Sequence, residues 1–275
     1  MTEEILREKI AAAVCEVKRT NPLAPSVTNT VTMNFVANAQ LAVGGSAAMV
    51  FLPDEGEMLA KTCGAVYLNV GTLLPVLKET HVKTAKAAHE AGKVCVLDPV
   101  GIGIGSMRTE ILTALKESKP KIIRGNASEI ISLHRLWLEK SFSSTARGVD
   151  TTESVEEAEL AANELALYTG GAVSVSGKVD YVTDGTHALT LAGGSELMTR
   201  ITGSGCSLGG AMAVYACVSE PFVAAVTGAI VFKLAGNRAS QKADAPASFQ
   251  TSFLDKLYKA TSGDIAAYPF ELCTL

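Results

Sequence analysis

Short apolar runs, each closing on glycine or a polar residue, alternate with helical stretches through the first half of the chain. No other feature limits the possible folds as much. Ala47–Phe51 is followed by a helical pattern over 55–62, and Val66–Val70 ends at Gly71. A helix over 76–91 stops at Gly92, and Val94–Leu97 runs into Asp98-Pro99. After a helix over 108–118, Ile122-Ile123 leads to Arg124-Gly125-Asn126 and a further helix. The runs lack strict polar/apolar alternation, as expected of strands covered on both faces. Helices between them make βαβ units, so the spacing predicts an α/β sandwich with a mostly parallel central sheet. Strand-like segments return at Ala172–Ser176, Val179–Thr183 and Ala188–Leu191, with the hairpin signal Asp184-Gly185 between the last two.

An amphipathic helix is predicted over 2–19, with Leu6, Ile10, Ala13, Val14 and Val17 on one face. The stretch Pro22 to Pro25 is read as a connection. Thr28 or Thr30 fits as the cap of a second helix running to Gly44-Gly45. Long helices are expected at 204–218, 222–240 and 249–260, and the polar, Ser/Thr-rich 139–154 as a surface loop. There is no internal repeat, and one domain over 1–275 fits better than two.

With 48% hydrophobic and 19% charged residues, most of the chain is not disordered. Twenty-four basic against 28 acidic residues, with no Lys/Arg-rich run, exclude the footprint of a nucleic-acid binder. The first residues carry acids and no apolar signal core, and the longest uncharged run, between Arg200 and Glu220, reads as a buried helix. No membrane partner is expected, and the expected location is cytoplasmic. The six cysteines form no CxxC pair and no zinc spacing, which fits small buried side chains in a reducing compartment.

In open α/β sheets the ligand crevice lies beyond the carboxyl ends of the strands. That rule gathers Met49, Gly71, Asp98, Arg124-Gly125-Asn126 and Ser176-Gly177 on one edge. Thr202-Gly203-Ser204-Gly205-Cys206-Ser207 precedes an apolar helix, where unpaired backbone N–H groups and the helix dipole favour an anion. Cys206 falls in that first turn, a position that tends to lower a thiol pKa. Plainer readings stand beside these. Asp98 before Pro99 suits a turn, Asn126 and Glu129 suit a capping box, Met49 suits a core, and His81 and His89 suit a solvated helix face.

Three familiar motifs fail. Gly171 to Lys178 has the wrong spacing for a Walker A loop and Val179 where Ser or Thr is needed. Gly205-Cys206-Ser207-Leu208-Gly209 matches a nucleophile elbow, yet His81, His89, His134 and His187 all lie upstream of the serine. Gly101-Ile102-Gly103-Ile104-Gly105 is not a dinucleotide fingerprint.

From Asn21 to Tyr258 the sequence resembles the hydroxyethylthiazole kinases of the ribokinase-like superfamily. The resemblance rests on Thr28-Asn29-Thr30-Val31-Thr32-Met33-Asn34-Phe35-Val36-Ala37-Asn38, Leu97-Asp98-Pro99-Val100-Gly101, Ile123-Arg124-Gly125-Asn126-Ala127-Ser128-Glu129, Leu197-Met198-Thr199-Arg200 and Thr202-Gly203-Ser204-Gly205-Cys206. It implies ATP-dependent phosphorylation of the hydroxyl of 4-methyl-5-(2-hydroxyethyl)thiazole in thiamine salvage, with Mg²⁺ accompanying ATP. It further implies a homotrimer with active sites between subunits. Thiazole contacts carry over to Asn29, Met49, Gly71 and Gly203, and ATP contacts to Arg124 and Ser176. Asp98 and Glu129 match the acids near Mg²⁺ and the phosphates. Cys206 takes the place where ribokinase-like enzymes usually carry a catalytic Asp. The chain departs from many relatives at Ala24-Pro25-Ser26, where they have a His, and at Ala247-Ser248-Phe249, where they have Gly-Ser-Phe. Two other functions suit the same scaffold: a nucleotide-dependent lyase of the NAD(P)H-hydrate dehydratase type, and a ligand-binding module without chemistry.

Overall fold

The computed structural model describes residues 1–139 and 155–275. The Ser/Thr-rich loop expected over 139–154 thus lies almost wholly outside the described residues. Helix α1 (Glu3–Thr20) is capped by Thr2 and buries Leu6, Ile10, Ala13, Val14 and Val17, the face that its periodicity predicts. Strand β1 (Leu23–Val27), helix α2 (Met33–Ala42), strand β2 (Ser46–Met49) and helix α3 (Pro53–Thr62) follow. Next come β3 (Ala65–Asn69), α4 (Pro75–Glu90), β4 (Val94–Asp98), α5 (Ser106–Leu115), β5 (Ile122–Asn126) and α6 (Ala127–Leu138). Beyond 154 the order is α7 (Val155–Thr169), β6 (Ala172–Ser176), β7 (Val179–Thr183), β8 (His187–Ala192), α8 (Ser204–Ala216), α9 (Pro221–Ser240), α10 (Pro246–Lys259), α11 (Ser262–Ala266) and β9 (Glu271–Thr274).

The strands form one nine-stranded sheet in the order β2-β1-β3-β4-β5-β6-β7-β8-β9. The pairings from β2 through β6 are parallel and the last three are antiparallel. Helices cover both faces, so the expected α/β sandwich is the observed one. Two expectations differ. The Pro22–Pro25 connection is in fact strand β1. Its pairing with β3 begins only at Ser26, so Pro25, which has no N–H, precedes that ladder. Strand β9 has too few apolar residues to signal itself and forms by pairing with β8. Asp184-Gly185 turns the β7–β8 hairpin, with Asp184 Oδ1 accepting from the N–H groups of Thr186 and His187.

Because side chains alternate along a strand, each strand feeds both cores. Val66, Leu68, Cys95, Leu97 and Ile123 join the core beneath α3 to α7. Ala65, Tyr67, Val96 and Ile122 join the other, built on α1, α2, α8, α9 and α10. The two-residue period then places Asn69, Asp98, Arg124 and Ser176 on this second face, toward α8, at the carboxyl ends of their strands. Helix α9 is long and apolar enough to cross a membrane, but 89% of its apolar window is buried inside the protein, as suits a core helix. Its Lys233 is almost fully buried. The ammonium contacts Asp180 at 2.9 Å and donates to Gly177 O at 2.8 Å, which ties down the turn after Ser176.

Candidate active site

Asp98 ends β4 and has no solvent exposure. Its Oδ2 accepts from the Tyr67 hydroxyl at 3.0 Å and faces Arg124 Nη1 at 3.4 Å. Burial pushes the Asp98 carboxyl up to about 6; Arg124 opposes that shift and Glu129 adds to it. Burial works against the charge of Arg124, but Asp98 and Glu129 outweigh it, so the guanidinium stays charged. Arg124 also donates from Nε to Ser176 Oγ at 3.3 Å, joining two residues that the sequence places on neighbouring strand ends.

Above this pair lies the start of α8. Gly203 precedes it with φ +88°, a left-handed conformation that glycine adopts without strain. A Cβ there would meet Thr32 at 2.8 Å. The first backbone bond of the helix runs from Ser207 N–H to Gly203 O at 2.8 Å, so the N–H groups of Ser204, Gly205 and Cys206 precede the intrahelical ladder. At Gly205 a Cβ would stand 2.5 Å from Arg124 Nη1, so glycine is what lets the guanidinium lie against the helix. The arrangement concentrates positive potential where the sequence predicts an anion.

Asn29 joins the other side of the crevice. Its amide nitrogen donates to Asn69 Oδ1 at 3.0 Å and approaches Cys206 Sγ at 3.5 Å. Gly71 N–H also donates to Asn69 Oδ1, at 2.9 Å. Met49 ends β2 opposite Ser26, on the same sheet edge. Glu129 closes a capping box with Asn126 and also accepts from Gly101 N–H at 3.3 Å. The cap reading of Glu129 therefore holds, and the same carboxylate still influences Asp98 and Arg124.

Two expectations are corrected. Burial, with Asp98 nearby, raises the Cys206 thiol above its ordinary value, and Arg124 only partly offsets this. A helix start does not make this thiol acidic, because the chain buries it. His81 is not solvated. It has no exposure, and its ring nitrogens face Leu77 O at 2.6 Å and Asn69 O at 3.0 Å. Burial lowers its pKa, which favours a neutral imidazole. Tyr67 and Asn69 do not stand out in the sequence, because Val66–Val70 reads as one apolar run ending at Gly71. The signal was the two-residue spacing from Ala65 through Tyr67 to Asn69, a polar residue closing the strand.

Among the described residues no three His, Cys, Asp or Glu side chains gather to hold a metal. Mg²⁺ does not need such a cage: it takes one or two carboxylates and completes its shell with water and phosphate oxygens. Asp98 Oδ1 is buried and has no hydrogen-bond partner among the described residues. An orphaned carboxylate oxygen near Glu129 fits that requirement.

The pyridoxal kinase of Staphylococcus aureus in complex with ADP aligns with a TM-score of 0.60 over 92% of this chain and 99% of its own, at 16% identity. At that identity the likeness speaks for the fold alone, and the fold is that of the ribokinase-like kinases. Closer similarity narrows the class. The model of the hydroxyethylthiazole kinase family matches residues 14–263. A hydroxyethylthiazole kinase of Bifidobacterium adolescentis is 47% identical, with 95% of this chain and 93% of the relative covered. One from Bifidobacterium animalis subsp. lactis is 44% identical, covering 98% and 93%. The structure of the hydroxyethylthiazole kinase protein from Pyrococcus horikoshii aligns with a TM-score of 0.85 at 31% identity over 98% and 99% of the two chains. The chain belongs to the hydroxyethylthiazole kinase family.

Gly203 is the position where a side chain would both strain the backbone and collide with Thr32. Gly203→Val is expected to abolish phosphoryl transfer and to cost at least about 1–2 kcal/mol of stability, the penalty of a left-handed L-residue. Activity assays beside urea unfolding check this; a folded variant with near-normal turnover refutes it.

Proposed function

We propose that this chain phosphorylates the hydroxyl of 4-methyl-5-(2-hydroxyethyl)thiazole with ATP, a salvage step toward thiamine phosphate, as one kinase domain spanning 1–275 that works in the cytoplasm. The observation that carries the reading is the placement of Asn29 and Cys206 in contact at one end of the crevice, with Asp98 and Arg124 beneath the start of α8. An alcohol held by Asn29, Met49, Gly71 and Gly203 would present its oxygen to a γ-phosphate seated on the α8 N–H groups. Arg124 and Ser176 would hold the nucleotide's phosphates. Asp98 and Glu129 would hold Mg²⁺, which when bound neutralises phosphate charge. The alcohol oxygen forms its bond to the γ-phosphorus as the bond to the bridging oxygen breaks, and ADP leaves with that electron pair. Phosphoryl transfer of this loose kind depends on positioning and charge more than on a strong base. Cys206, a thiol at neutral pH, then serves mainly to line the turn, and the hydroxyl proton passes late to an oxygen of the transferred phosphoryl group.

The lyase and the binding-module readings are separated from this one by a single assay. ATP turnover is expected to depend on the thiazole alcohol and to yield its phosphate ester. ATP hydrolysis indifferent to the alcohol, or no turnover, overturns the proposal.

The assembly proposed is a homotrimer whose sites lie between neighbouring subunits. Sedimentation is expected to show a trimer, and a fully active monomer refutes it.

Cys206 gives a sharper expectation. Cys206→Ala should bind both substrates normally and keep kcat within about tenfold of wild type at pH 7, since the thiol is protonated there. Cys206→Asp, whose carboxyl gives up its proton far more readily than a thiol in the same place, should match or exceed wild type. Wild-type kcat should climb toward alkaline pH as the raised thiol ionises, a rise absent in both variants. Steady-state kinetics across pH decide; a Cys206→Ala profile that climbs like wild type removes any proton-accepting role.

A further inference from the structure

Beneath the crevice runs a chain of buried hydrogen bonds whose direction is fixed at each link. Thr32 N–H donates to Asn29 Oδ1 at 3.1 Å, so the Asn29 amide nitrogen must face Asn69 and Cys206. At Asn69, Oδ1 accepts from both Asn29 Nδ2 and Gly71 N–H. A backbone N–H is an unambiguous donor, so this too orients the amide. The Asn69 nitrogen is left facing Tyr67 and donates to its oxygen at 2.8 Å. The single phenolic hydrogen then goes to Asp98 Oδ2 at 3.0 Å. Asn69, Tyr67 and Asp98 have no exposure, and Asn29 has 3%. The Asn69 carbonyl oxygen lies 3.0 Å from His81 Nε2.

A buried hydrogen-bonded network would serve stability anywhere in a protein. The ends of this one set it apart. One end holds Asn29 and the Gly71 backbone, and the other holds the carboxylate of Asp98. The helix above is shaped to it: a Cβ on Gly209 of α8 would strike the Tyr67 ring at 2.4 Å.

We infer that Asn69 and Tyr67 are positioning residues for phosphoryl transfer, one hydrogen-bonded chain in which Asn69 fixes the alcohol-binding groups and Tyr67 fixes the phosphate-side carboxylate. The inference rests on the reading that Asn29 and Gly71 face the alcohol and Asp98 the phosphates. The two residues act on different steps. Asn69 holds Asn29 and Gly71 directly, so its loss touches alcohol binding. Tyr67 touches neither, so its loss affects transfer once both substrates are bound.

The test compares Tyr67→Phe, Asn69→Ala and Asn69→Asp with wild type. Calorimetry reads thiazole-alcohol affinity without ATP or Mg²⁺, and steady-state kinetics read kcat. Wild-type turnover of the alcohol in the same assay tests the underlying kinase reading separately. Tyr67→Phe removes one hydroxyl and keeps the ring. It is expected to lower kcat roughly tenfold or more, the effect of a lost hydrogen bond to a charged group, with alcohol affinity within about twofold of wild type. Asn69→Ala should weaken the alcohol roughly tenfold and lower kcat as well. Asn69→Asp retains the oxygen that accepts from Asn29 and Gly71 but puts a second acceptor against Tyr67, drawing its hydrogen away from Asp98. Alcohol affinity should return while kcat stays at the Tyr67→Phe level. A Tyr67→Phe enzyme with wild-type kcat overturns the inference, as does one whose alcohol affinity falls with its kcat. If the Asn69 variants fail to fold, as thermal melting would show, the kcat-against-affinity split in Tyr67→Phe decides alone.

Discussion

A carboxylate and a guanidinium buried side by side, Asp98 and Arg124, set the terms for everything around the crevice. Taking charges out of water costs several kcal/mol per ion unless partners replace the lost hydration. Here the partners are few and specific: the Tyr67 hydroxyl for Asp98, Ser176 for Arg124, and a separation of 3.4 Å between the charges themselves. The pair is looser than a good bidentate ion pair, and Asp98 Oδ1 accepts no hydrogen bond from the described residues.

Helix α8 is fitted to this centre by what it lacks. At Gly205 a side chain would displace the Arg124 guanidinium, and at Gly209 it would displace the Tyr67 ring. A helix interior normally disfavours glycine by about 1 kcal/mol relative to alanine. Close approach of α8 to β3 and β5 offsets that penalty, and it brings the free N–H groups of the first turn over the charged pair. On the far side, Lys233 of α9 secures the turn that follows Ser176. The crevice is thus bounded by a sheet edge, the start of α8 and a turn tied to α9, an arrangement suited to chemistry that depends on placement.

Much of this was legible in the chain. Alternation of apolar runs and helices gave the parallel sheet, and the residues closing those runs gave Gly71, Asp98, Arg124 and Ser176 as one edge. The glycine-rich entry to α8 and the Asn126–Glu129 cap were equally readable, because capping and left-handed turns depend on a few adjacent residues. The strand at Pro25 was not, since a proline argues against a strand unless its ladder partner is known. Nor was the burial of His81, read with His89 as part of a solvated helix face.

The sequence by itself determined where most strands close and where a glycine turn opens α8, because both follow from local periodicity and backbone sterics. Only the tertiary structure decided how those groups behave. Stacking α8 on β3 to β5 excludes water from Cys206 and raises its thiol, reversing what a helix start alone would do. The same stacking buries Tyr67 and Asn69 between the two halves of the crevice. Desolvation and hydrogen-bond direction depend on what lies across the sheet, and residues distant in sequence supply it: Asn29 against Cys206, Tyr67 against Asp98.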